Sequence, residues 1–308
     1  MLRLGAFNLD LGLRRHLKPP ATACLAILFV VLASSSCSWF RVKQTYRIPA
    51  SEQALPAKTA SLEDLIRGIN QTAEKIQAIK LTVIYQLTGG SINTGEISNY
   101  RETDGFVLAR GPSWIRLIGQ AFKVKVFDMV SDGKQFRIYV PPKNKFIVGR
   151  NDQEIKGRKD VPINLRPQHI FQALIIDPVT TDNEENTRIL EEDQEGKHKY
   201  YVLSIVGPAK EGVGSLRRKM WIDRFDLRLV RQKLYEGGRM VSDINYREFK
   251  DFDGGDYPSV IDFTRPQEDY SLRIRISKAV MNEALRDDQF VLEQPDGTEL
   301  VDLTQNPQ

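Results

Sequence analysis

Few side chains in this sequence are spaced for catalysis. One of its three histidines lies in the N-terminal leader, and the other two, His169 and His198, stand far apart with no His-Glu-x-x-His pair to hold a metal. There is no Gly-x-Ser-x-Gly nucleophile elbow and no P-loop, and Gly212-Val213-Gly214 lacks the third glycine and the strand-to-helix setting of a dinucleotide site. Asp251-Phe252-Asp253-Gly254-Gly255-Asp256 concentrates oxygen ligands as a calcium loop does, yet lacks the downstream glutamate and reads as an acidic hairpin turn. Trp39, Trp114 and Trp221 are too scattered for a carbohydrate platform. These patterns predict no enzyme activity, no metal and no cofactor.

The side chain with a chemistry of its own is Cys37. Arg3, Arg14, Arg15 and Lys18 precede an apolar run from Ala21 to Ala33, and Ser34-Ser35-Ser36-Cys37 follows, which is the layout of a signal peptide. The run is about thirteen residues, short of the roughly twenty that span hydrocarbon. Its end resembles a lipobox, where a cysteine is diacylated on sulfur and becomes the mature N-terminus. Leucine is usual three residues before that cysteine; here Ser34 stands there, with Leu32 two positions further back. Plain cleavage beside the serines, with Cys37 a free thiol, is the alternative. Cys24 is a small hydrophobe inside the run, so a chain starting at Cys37 forms no intramolecular disulfide despite an oxidising destination. Of the formal charge of +4, the leader carries most, so the remaining body is nearly neutral. That lacks the electrostatic footprint of a nucleic-acid binder.

The elements beyond the leader fall into a readable order. Residues 1–36 form the leader, 37–60 a polar tether with Pro49 and Pro56, and 61–308 one domain. Arg41, Lys43 and Arg47 in the tether suit anionic head groups or a solvated linker equally. Ser61 with Asp64 predicts a capping box, followed by Leu62, Leu65, Ile66, Ile69, Ala73, Ile76 and Ile79 along one helical face. From Lys80 the period changes to 2, through runs such as Leu81 to Leu87 and Trp114 to Ile118. Asp132-Gly133 and Gly237-Gly238 predict hairpins, Pro141-Pro142 the end of a strand, and Pro167 a short helix carrying Ile170, Phe171, Leu174 and Ile175. The fold class is mainly β. We expect about eleven strands in a single large curved antiparallel sheet, a half-open β-barrel covered by helices.

Gly105-Phe106-Val107-Leu108-Ala109-Arg110-Gly111-Pro112-Ser113-Trp114-Ile115-Arg116 resembles the segment of the lipoprotein carriers LolA and LolB in which an apolar strand passes through a basic residue and a proline into the next strand. Val130-Ser131-Asp132-Gly133-Lys134 with Tyr139 and Pro141 is similar to their next hairpin, and Phe290-Val291-Leu292 with Pro295 and Gly297 to their closing strand and turn. The motifs keep the family's order over nearly the whole chain after the leader.

The resemblance implies a half-barrel whose apolar concave face binds the acyl chains of a lipid or lipoprotein, for transport or for insertion into the outer membrane. Exposure of a lipid tail to water costs about 0.8 kcal/mol per methylene, so a carrier needs a dry groove and a movable lid but no reactive group. Alignment with the proline motif puts Ile115 and Leu117 in the groove. Alternation adds Phe136 and Ile138 on one side and Leu203 and Ile205 on the other, with Phe171 and Leu174 lining the lid; each of these serves equally as plain core. Arg110 matches the basic residue that holds the lid closed in the family, although Gly111 is inserted before Pro112. Acylation at Cys37 would make the molecule more like the anchored LolB, and Ser38 in place of an aspartate favours the outer membrane, facing the periplasm. The expected partners are acyl chains, the membrane through the N-terminal lipid anchor, and an envelope protein, with no nucleic acid and a monomeric state. Extra sequence at Lys143 to Arg166 and around Gly207 to Gly214 would supply partner-binding loops or a wider rim. The alternative is a scaffold or sensor lipoprotein that uses the same fold to bind protein partners.

Overall fold

The structure is a computed structural model that describes residues 46–91, 95–153, 165–180, 186–209 and 212–304. The chain divides into a first unit, residues 1–51, of which 46–51 are exposed, and a second unit, residues 52–308. The leader and Cys37 lie outside the described residues. Among those described, no helix is long and apolar enough to cross a membrane.

In the second unit the capping box forms as the sequence predicts. The Ser61 hydroxyl accepts from the Asp64 backbone N–H at 3.1 Å, the Asp64 carboxylate accepts from the Ser61 N–H at 3.3 Å, and helix α1 runs over Leu62–Lys75. The helix stops earlier than the apolar period suggests. Gln77 and Asn282 side chains take its last carbonyls, and Ile79 belongs to the next strand. Ahead of the helix, at the end of the expected tether, the Leu55 and Lys58 N–H groups donate to the Lys197 and Arg224 carbonyls.

Strand β1, Ala78–Ser91, is the hub of a fifteen-stranded sheet. On one side of it lies a meander of β3 (Thr103–Arg110), β4 (Trp114–Ala121), β5 (Val124–Ser131), β6 (Gln135–Val140) and β7 (Lys145–Arg150). On the other side β14 (Tyr270–Met281) is followed outward by β13 (Gly255–Arg265), β12 (Arg239–Phe252), β11 (Leu229–Glu236), β10 (Leu216–Asp223), β9 (His198–Val206) and β8 (Thr187–Glu195). A short β2 (Glu96–Asn99) also pairs with β1. The predicted turns sit where the residues demand: Gly133, Gly237 and Gly238 have φ of 92°, 54° and 77°.

Two features depart from the expected count and pairing. After Pro141-Pro142 the chain makes one 3-10 turn and returns as β7, and the closing strand is β15 (Glu299–Asp302), not Phe290-Val291-Leu292. Strand β15 pairs with β7 in parallel, so the sheet is mixed at that end. Asp287–Phe290 is a 3-10 turn within a C-terminal strap.

The two faces of the sheet are covered differently. One face carries α1 and helix α2 (Pro167–Leu174). Helix α2 packs on β4, β5 and β13, burying Ile170, Phe171 and Leu174 with Leu81, Ile115, Leu117 and Phe263. Helix α1 buries Leu65, Ile66 and Ile69 against Tyr201, Leu203, Met220 and Ile222. Each such aliphatic side chain contributes about 1.5–3 kcal/mol on leaving water. On the opposite face the strap packs Leu285 and Phe290 on Ala78 and Trp114, and Leu292 on Val130 and Phe146. Arg116 pins the strap there: its Nη1 donates to the Gln289 carbonyl at 2.9 Å, while Nε and Nη2 clamp the fully buried Asp128 at 3.0 and 2.9 Å.

Candidate functional site

A cavity of about 410 Å³ opens between α1, the end of α2 and strands β11 to β14. It exists because α1 and α2 fill different parts of the covered face. Ile69 packs with the α1 cluster and Leu174 with the α2 cluster, and both residues also line the space between.

Its floor is buried and apolar: Ile69, Ile76, Leu174, Tyr246, Tyr257 and Met281. Both tyrosine hydroxyls are held protonated, because burial pushes their pKa well up. Tyr257 donates to the Leu174 carbonyl at 2.6 Å and so ties β13 to the end of α2. Tyr246 accepts from Gln232 Nε2 at 2.6 Å; Gln232 in turn accepts from Arg218 Nε at 2.9 Å, and Arg218 Nη1 donates to the Asp177 carbonyl at 2.7 Å. Burial lowers the pKa of the Arg218 guanidinium, the expected direction for a desolvated cation.

The rim is exposed and polar. Gly68, Thr72 and Lys75 come from one stripe of α1, at i, i+4 and i+7, which is about 10 Å of helix at 1.5 Å per residue. Across from them Arg228 bonds Asp256 at 2.8 Å and Asp226 at 3.1 Å, with its guanidinium 5.0 Å from the Phe249 ring centre. Asp253 lies in the acidic β12–β13 turn, and Asp256 is the second residue of β13. Among the described residues no group of three or more His, Cys, Asp or Glu side chains is placed to hold a metal.

Of the groove, lid and lid-contacting residues singled out in the sequence, Leu174 lines the cavity, Arg110 lies on the opposite face, and the others lie elsewhere in the covered face. Ile115, Leu117, Phe136 and Ile138 are packed in one cluster with Phe171 and Leu174, and none of these four lines the cavity. Leu203 and the half-buried Ile205 belong to the α1 cluster. Only Leu174 lines the cavity. Arg110 follows Ala109, which points into the helix-covered core, and therefore projects from the opposite face. There Nη1 donates to the Leu285 carbonyl at 2.6 Å and Nη2 to Asp287 at 2.7 Å, so it clasps the strap, and helix α2 lies across the sheet from it. His169 shares a 3.0 Å hydrogen bond with Tyr270, and His198 one of 2.9 Å with Asp223; neither lines the cavity.

A family model described as "Uncharacterized protein" matches residues 177–294. No curated protein matches the chain. Among solved structures, a DUF1329 family protein from Desulfovibrio piger is similar at 16% identity, covering 74% of this chain and 95% of its own, with a TM-score of 0.49. LolA-superfamily proteins are among the structural neighbours. One from Nitrosomonas europaea has 15% identity over 74% of this chain and 97% of its own, with a TM-score of 0.45. An outer membrane lipoprotein-sorting protein domain from Vibrio parahaemolyticus has 14% identity over 72% and 94%, also at 0.45.

Proposed function

We propose that this chain is a non-enzymatic carrier of the cell envelope that holds an acyl chain of a lipid or lipoprotein in the cavity between α1 and strands β11 to β14. The observation that carries the reading is a cavity of about 410 Å³ with a buried apolar floor and a polar, exposed rim. Its volume falls in the range of about 300–1,000 Å³ typical of small-molecule sites. An acyl chain leaving water for that floor gains about 0.8 kcal/mol per methylene. In this reading Ile115, Leu117, Phe136, Ile138, Leu203 and Ile205 are the packed wall that shapes the groove, and Phe171 and Leu174 seat α2 as its lid. The sequence around Cys37 supports a lipid-anchored protein of the outer membrane, facing the periplasm. The test is native mass spectrometry with lipid extraction on residues 38–308 purified without detergent from the host envelope. A stoichiometric acylated species is the expected result. Reproducible absence of lipid, with no uptake of a fluorescent fatty acid, refutes the carrier reading.

One observation favours a second reading, a scaffold that binds protein partners. Phe122 and Val124 are 80% and 65% exposed at the tip of the β4–β5 hairpin, where Phe122 meets the Arg101 guanidinium 4.8 Å from its ring centre and neither side chain is buried in the fold. Under that reading Phe122→Ser abolishes partner capture and leaves lipid content unchanged.

A further inference from the structure

We propose that the cavity is selective for a single-chain amphiphile with an anionic head, which sits at the rim beside Lys75 while its chain lies on the apolar floor. The inference rests on the acyl-binding reading and adds the charge and orientation of the ligand.

Three charged side chains line the cavity, Lys75, Arg228 and Asp256, and all three are on the rim. Arg228 is committed: Asp256 and Asp226 lie 2.8 and 3.1 Å from its nitrogens. Asp256 is neutralised by the same contact. Lys75 is left over, and its ammonium makes no ion pair among the described residues. Lys75 is thus the lining charge that carries no counter-charge of its own, at one end of the Gly68–Thr72–Lys75 stripe, while Arg228 is shared between Asp256 and Asp226.

A lysine in the last turn of a helix often serves the negative end of the helix dipole. Here two of the last carbonyls are already taken by other side chains. Gln77 Nε2 donates to the Ala73 carbonyl at 2.7 Å, and Asn282 Nδ2 to the Lys75 carbonyl at 2.6 Å. The Lys75 charge is therefore free for a ligand. The floor offers the opposite chemistry. Its tyrosine hydroxyls are engaged with Gln232 and with the Leu174 carbonyl. A buried anion would lose its hydration there without gaining a cation. The arrangement therefore sets the polarity of the ligand, head outward and tail inward. A cationic head would meet Lys75 at close quarters, and a neutral head would gain nothing from it.

The test is calorimetric titration of the delipidated full chain at low salt with amphiphiles of one tail length: dodecanoate, dodecyl phosphate, 1-dodecanol and dodecyltrimethylammonium. At least one of the two anions should bind tenfold or more tighter than dodecanol, and dodecyltrimethylammonium weakest. Whichever anion is tighter identifies the head as a carboxylate or a phosphate. Lys75 is exposed, so its variants keep the fold. K75Q should reduce the preference for anions and K75E should reverse it, whereas K123E, the same charge change at the distant β4–β5 hairpin tip, should leave it intact. Equal binding of dodecanol and both anions, or an unchanged preference in K75E, overturns the proposal while leaving acyl binding standing. Failure of all four amphiphiles to bind refutes the acyl-binding reading itself.

Discussion

Filling the cavity should make the protein more stable and less able to bind, and Gly68 is the place to do it. The residue lies in the interior of α1 with its surface exposed, and a Cβ built there meets nothing within 4 Å. Glycine in a helix interior costs about 0.7 kcal/mol relative to leucine, so Gly68→Leu should stabilise the domain by roughly that amount and raise Tm by about 2 °C for a domain of this size. The new side chain enters the space that an acyl chain would occupy. Displacing about four methylenes forfeits roughly 3 kcal/mol, a loss of more than a hundredfold in affinity. Gly68→Ala gains about 1 kcal/mol from propensity and leaves most of the cavity open, so it should keep binding within about tenfold. Urea denaturation followed by circular dichroism and calorimetric titration with dodecanoate measure both effects on the same preparations. If Gly68→Leu is destabilised, or binds dodecanoate as the parent does, the cavity assignment is wrong.

Other substitutions probe what frames the site. Asp128→Asn should cost about 3–5 kcal/mol in urea denaturation, because it removes the buried carboxylate that the Arg116 guanidinium clamps and loosens the residue that pins the strap. Ser61→Ala should cost about 1 kcal/mol by removing the N-cap of α1. His169 has its pKa depressed well below 6.5 by burial first and then by the charges of Arg265 and Arg166. The unfolded chain therefore binds a proton that the native state refuses, and native stability falls as pH drops below about 6.5, by up to about 1.4 kcal/mol per pH unit. His169→Gln should flatten that slope in denaturation curves taken between pH 7 and 5.

Helix α1 and strands such as β3, β4 and β10 are legible in the sequence because each buries one face more than the other, so period and burial agree, and the Asp132-Gly133 and Gly237-Gly238 turns are legible from their glycines. Strand β7 is not. Phe146 packs against the strap and Ile147 against the helix side, so the run is apolar on both faces and shows no alternation. Strand β15 is four residues long and is defined by a parallel partner some 150 positions away, which no local pattern encodes. The cavity was hidden for a related reason. Period 2 marks Ile115 and Leu117 as inward, but whether an inward residue meets another side chain or a space depends on where the two helices land. The available signal was Gly68, a helix-weakening residue inside an otherwise well-patterned amphipathic segment. Arg110 shows the converse. Its face follows from the parity of Ala109, yet what waits on that face is the strap, over 170 residues downstream.

An open sheet of this length has two ends, and they are guarded by different means. At one end β15 is a short parallel strand that closes off the β7 edge. At the other, β8 carries Glu191, Glu192, Asp193 and Glu195 on exposed positions. Glu191 and Glu192 are paired with Lys219 and Arg224, so a second copy pairing there would bring chiefly Asp193 and Glu195 against its own acidic strand, which disfavours edge-to-edge growth. The acidity of β8 therefore acts as a solubility device. It lets the protein expose a long hydrogen-bonding edge without templating its own aggregation.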